Sequence, residues 1–126
     1  MSRLIIIICV TLGIFVMGTI SILDVKDFSE DVSDTIFVAV EACNKKEKAK
    51  LKDEIEKLST IWEKRQKTLN YYIHHDELES ISKLIATLKS FYDSEDYSLA
   101  SEKLLEIKYL ALHIYEEELP NAKNLF

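Results

Sequence analysis

The sequence predicts an all-α protein, an N-terminal transmembrane helix followed by a small antiparallel bundle of about four helices. Three observations carry this. The stretch from Leu4 to Leu23 has no charged residue. Glycine occurs only at 13 and 18 and proline only at 120, so almost nothing breaks a helix beyond the apolar run. The rest of the chain repeats apolar residues at steps of three and four, the period of a helix with one buried face.

The apolar run "LIIIICVTLGIFVMGTISIL" is long enough, at helical rise, to span about 30 Å, the hydrocarbon thickness of a bilayer. Its β-branched residues would suit a strand in water, but in lipid the backbone must satisfy its own hydrogen bonds, which favours helix. It reads as an uncleaved anchor. The charged leader is only Met1-Ser2-Arg3, the apolar run exceeds that of a signal peptide, and Thr19-Ile20-Ser21 is a poor cleavage site. Cys9 comes too early to be a lipid-anchor cysteine. Arg3 and the short amino-terminal flank favour the N-terminus in the cytoplasm, against Lys26 on the far side. The chain thus divides into an anchor, 1–23, and an extracytoplasmic helical domain, 24–126, of a single-pass protein of the cell membrane.

Four helices are expected in that domain. Val32, Ile36, Ala39, Val40 and Cys43 share a face over about 28–43. Leu51, Ile55, Leu58, Trp62, Leu69 and Tyr72 do so over about 45–73, interrupted by Arg65. Leu78, Ile81, Ile85, Leu88 and Tyr92 form the stripe of about 76–92. Tyr97, Ala100, Leu104, Ile107, Ala111 and Ile114 form that of about 95–118. Asn44 with Glu47, and Asp76 with Glu79, have the spacing of capping boxes. Ser94 is expected to start the last helix and Pro120 to stop it. Connections this short make neighbours antiparallel. With Cys9 in the anchor and Cys43 on a core face, no disulfide framework is expected.

Charge is segregated within the overall −6. Residues 24–41 are acidic, 45–67 basic and 76–118 acidic again. The basic stretch "NKKEKAKLK" reads as a solvated face packed beside acidic helices, with anionic lipid headgroups or an acidic partner as the alternative. An acidic domain outside the cytoplasm excludes nucleic acid as a partner.

The residues with most chemical content lie in "YYIHHDELES", Tyr71 to Ser80. Adjacent helical residues point about 100° apart, so His74 and His75 do not chelate one ion together. Asp76 is expected to cap the following helix. Counting back from the next turn brings His113 level with His75, with Glu117 one turn further along the same face. His75, His113 and Glu117 are therefore the alternative reading, a metal or acid–base site. Against it, the chain has no H-E-x-x-H, E-x-x-H, phosphate loop, nucleophile elbow or CxxC. No cofactor and no enzymatic activity are expected. Trp62 is expected as a core anchor.

With its N-terminal anchor, "LSTIWEKRQKTLNYYIHHDELESI" (Leu58 to Ile81) and closing "NLF" (Asn124 to Phe126), the chain resembles an uncharacterised domain-of-unknown-function family. That family comprises short single-anchor helical proteins from spore-forming Gram-positive bacteria. The likeness covers nearly the whole chain and matches at Trp62, His75, Asp76, Glu77 and Asn124; the Tyr71–Tyr72 pair and the doubled histidine fall outside the matched positions. The resemblance implies a protein without an assigned activity whose family members often accompany an integral membrane protein in the genome. The leading functional expectation is a membrane-tethered helical interaction module. It would dock on an integral membrane protein or associate with a second copy of itself.

Overall fold

The computed structural model describes residues 2–71 and 73–125, and the side chains of residues 20–22 and 117–125 lie outside that description. Four helices follow one another: α1 (Ser2–Asn44), α2 (Lys48–Leu69), α3 (His75–Asp93) and α4 (Tyr97–Leu125). No strand occurs among the described residues.

The first departure from expectation is the fusion of the apolar segment with the first bundle helix. α1 runs for 43 residues without a break, roughly 65 Å of helix. The bundle stripe begins earlier than residue 28: Val25 and Phe28 are buried, continuing into Val32, Ile36, Ala39 and Cys43. No glycine or proline lies between Thr19 and Asn44, so nothing interrupts backbone hydrogen bonding where apolar sequence gives way to charged sequence. The N-terminal part of α1 is bare, with Leu4, Ile5, Ile6, Ile7 and Phe15 all exposed. It is long and apolar enough to cross a bilayer, and none of its most apolar window is buried within the protein.

The core is built from the expected stripes. Leu51, Ile55, Leu58, Trp62 and Leu69 of α2 are buried, as are Leu78, Ile81, Ile85 and Leu88 of α3. From α4, Ala100, Leu104, Ile107, Ala111 and Ile114 join them. Tyr72, expected on the α2 stripe, lies outside the described residues. α1 packs against both α2 and α4, α4 also packs against α3, and α2 and α3 touch least.

The helix ends differ from the expected caps in an instructive way. α1 ends in a six-to-one bond from Glu47 N–H to Ala42 O (2.9 Å) and a five-to-two bond from Lys46 N–H to Cys43 O (3.1 Å). This is the Schellman arrangement, with Lys46 left-handed at φ 54. α3 ends the same way, with Asp96 N–H to Phe91 O (3.0 Å), Glu95 N–H to Tyr92 O (3.0 Å) and Glu95 at φ 57. Asn44 is therefore the last residue of α1 and not a cap; Glu47 precedes α2 and makes no side-chain cap bond. Ser94 closes α3, and Asp96 caps α4 by accepting from Leu99 N–H at 3.1 Å. The spacing signal pointed to N-caps where the chain instead uses C-terminal closures. α4 continues through Pro120 to Leu125. Proline removes one donor and crowds one carbonyl, which a helix carries at a cost of roughly 3 kcal/mol without ending.

The α1–α2 and α3–α4 turns share one end of the bundle, where Lys48 Nζ bonds Glu95 Oε1 at 2.7 Å and lies 5.7 Å from the centre of the Tyr92 ring. Their hydrogen bond raises the pKa of Lys48 and lowers that of Glu95. The opposite end holds the α2–α3 turn and the point where the apolar segment enters the bundle. There Arg65 reaches Asp24 (2.6 Å) and Asp31 (3.4 Å) of α1. The basic stretch thus sits at the end remote from the apolar segment, roughly 30 Å beyond Leu23 along α1.

Candidate functional site: the seam between α2 and α3

Because α2 and α3 touch least, a polar seam opens along them. Two depressions of about 400 and 290 Å³ share Gln66 and Ser82, and His75 lines the first and Trp62 the second. Trp62 belongs to both core and seam. Its ring lies 5.8 Å from that of Phe28, tilted by 46°, while its indole N–H donates to Ser82 Oγ at 2.8 Å. A buried indole needs an acceptor for its N–H, and Ser82, one turn after Leu78 on α3, supplies it. Ser59 Oγ, on the α2 side, is buried without a hydrogen-bond partner.

The α3 N-terminus starts one residue earlier than expected. His74 occupies the cap position with extended backbone and no side-chain cap bond, and α3 begins at His75. Asp76 is thus not the N-cap. It stands with Glu77 in the first turn, where a carboxylate favours the positive end of the helix dipole. The bonds from Glu77 N–H and Leu78 N–H to His74 O, at 3.1 and 3.3 Å, open the helix.

Of the three residues of the alternative site, the structure describes the side chains of His75 and His113. The His75 side chain is 80% exposed, and its Nε2 lies 3.9 Å from Glu79 Oε2, beyond hydrogen-bonding distance. Glu79 itself faces Lys83 at 3.4 Å. His113 stacks on Tyr109 of its own helix, with ring centres 6.1 Å apart and planes 8° from parallel. Among the described residues no group of three His, Cys, Asp or Glu side chains could hold a metal ion. The side chains of Glu117 and Asn124 lie outside the described residues. Cys43 is buried, which pushes its thiol pKa up and keeps it protonated and slow to react. The seam's lining mixes hydrogen-bonding residues, among them Gln66 and Ser82, with apolar ones, Leu78 in the first depression and Trp62 and Ile85 in the second. Gln66, Ser59 and Ser82 were not singled out from sequence. The available signal was that positions 59, 66 and 82 flank the apolar stripe of each helix, beside a tryptophan whose N–H needs a partner.

The fold and the seam define a class: an all-helical bundle whose first helix extends into a bare apolar segment, with a groove between α2 and α3. The chain belongs to the domain-of-unknown-function family DUF4363, whose family model matches residues 19–125. No curated protein and no solved structure matches the chain.

Proposed function

We propose that this protein is a membrane-tethered helical interaction module. The apolar part of α1 crosses the bilayer once with the N-terminus in the cytoplasm, and the bundle stands outside and docks on an integral membrane protein. The observation that carries this reading is the unbroken α1. From Leu4 to Met17 it exposes a nearly continuous run of apolar side chains, and from Val25 onward it is a full member of the bundle core. A helix shared in this way transmits orientation, so a tethered bundle would be held at a set angle and height above the membrane. The likeness to short single-anchor proteins of spore-forming bacteria points the same way.

The test is fractionation of the intact chain. Retention in membranes through carbonate washing, at the mass of the uncleaved chain, is expected, together with a membrane protein that co-purifies after mild solubilisation. Release by carbonate, or a mature chain beginning near Ile22, would remove the tether. Purification without any enriched partner would remove the docking role.

A further inference from the structure

α4 has two apolar faces and the bundle uses one of them. The inner face carries Ala100, Leu104, Ile107, Ala111 and Ile114, all buried. The outer positions 98, 102, 105, 109, 112 and 116 follow the same alternation of four and three residues, and at their centre stand Leu105, Tyr109 and Leu112. These are exposed by 51%, 68% and 38%. Beside them α1 contributes Phe37, 67% exposed, which shares a depression of about 190 Å³ with Val40 and Leu105. A second depression, of about 430 Å³, continues along α4 between Leu105, Tyr109 and Leu110. A run of large apolar side chains at helix period is a surface shaped for another helix.

The charges around this face decide between occupants. Glu102 and Glu116 occupy the stripe itself above and below the apolar centre, and both are exposed. Glu41 lines the α1 side and Glu106 the other, the latter 3.1 Å from Lys103. Lys108 is the basic residue lining these depressions. Two copies tethered in one membrane are related by an axis along the membrane normal, which sets their α4 helices parallel and places Glu102 against Glu102 and Glu116 against Glu116. Like charges at stripe positions disfavour that pairing. A helix with an apolar stripe flanked by lysine or arginine meets complementary charge instead.

We propose that the outer face formed by Phe37, Leu105, Tyr109 and Leu112 is the docking surface for a basic amphipathic helix of a different protein. This rests on the reading of the chain as a tethered docking module and specifies its contact surface. The test places a photo-crosslinking benzoylphenylalanine at Tyr109 in the full chain in its native membrane. The adduct is identified by mass, and its attachment point by peptide sequencing. The expected adduct joins a second protein through a segment with an apolar helical stripe and lysine or arginine flanks, and Glu102→Lys lowers its yield several-fold. An adduct with a second copy of this chain, or with a segment lacking those flanks, overturns the proposal. So does the absence of an adduct while a membrane protein still co-purifies, which leaves the docking reading standing. Absence of both adduct and co-purifying protein overturns the two together. Leu105→Ser/Tyr109→Ser keeps the test independent of folding, because both side chains are exposed. Its melting temperature is expected to match that of the unaltered chain while the partner is lost, and an unchanged partner yield contradicts the proposal.

Discussion

At the scale of single residues, the helix ends separate capping from charge. Asp96 accepts a bond from Leu99 N–H, so Asp96→Ala should cost about 0.5–2 kcal/mol, and Asn at the same position should restore most of it. Asp76 is not the N-cap but stands in the first turn of α3, where the helix dipole favours its charge. Asp76→Ala should cost about 0.3–1 kcal/mol and the loss should shrink as salt rises. Thermal melts of these variants at two salt concentrations distinguish the roles. Lys46 adopts a left-handed backbone in a chain whose only glycines lie in the apolar segment. Lys46→Gly should therefore stabilise the bundle by about 0.5–1 kcal/mol, read by chemical denaturation. Asn and Asp favour N-caps wherever they stand, which is why the sequence led to Asn44 at the end of α1 and to Asp76 inside the first turn of α3. A Schellman closure without glycine leaves little trace in sequence, and here it moved both turns by two or three residues.

Between helices, the polar contacts are few enough to test one at a time. Trp62→Phe keeps the ring against Phe28 and removes the donor to Ser82, at an expected cost of about 0.5–1.5 kcal/mol. Ser82→Ala added to it should cost less than it does alone, because the two share one bond. Additive losses in the double-mutant cycle would mean that the indole bond contributes nothing. Arg65 interrupts the α2 stripe because it faces the acidic stretch of α1, where it holds Asp24 and Asp31 together. The site is only partly screened from water, with the Arg65 side chain 27% exposed. Arg65→Met should cost about 1–2 kcal/mol, between the values for exposed and buried pairs, and should be the variant most relieved by Asp24→Asn. The apolar stripes of α2, α3 and α4 were legible because period alone selects one face of a helix. The seam was not, since it depends on how far α2 and α3 stand apart, which no local pattern encodes. The same holds for His75 and His113: level in the chain count, they face a groove and a tyrosine of different helices.

For the whole molecule, the sequence showed the apolar segment and the bundle but placed a joint between them. The joint was placed where the charge-free run ends at Leu23, whereas helix continuity depends on backbone breakers, and there are none there. Under the proposed tether, a single helix that leaves the bilayer and enters the core would fix which end of the bundle faces the membrane. The α2–α3 turn would then face the bilayer and the lysine-rich turn would point away from it. The membrane position and orientation of this rod form the central claim, and one thiol measures both. Cys43 is buried and Cys9 lies in the apolar segment, so Ser98, exposed near the start of α4, takes the label in a Cys9→Ser/Cys43→Ala background. Intact cells carrying Ser98→Cys are treated with a membrane-impermeant maleimide, and the label is followed through carbonate washing. The account predicts labelling before lysis, with the labelled chain in the washed membrane pellet. Labelling only after lysis, or label released into the wash, would contradict it.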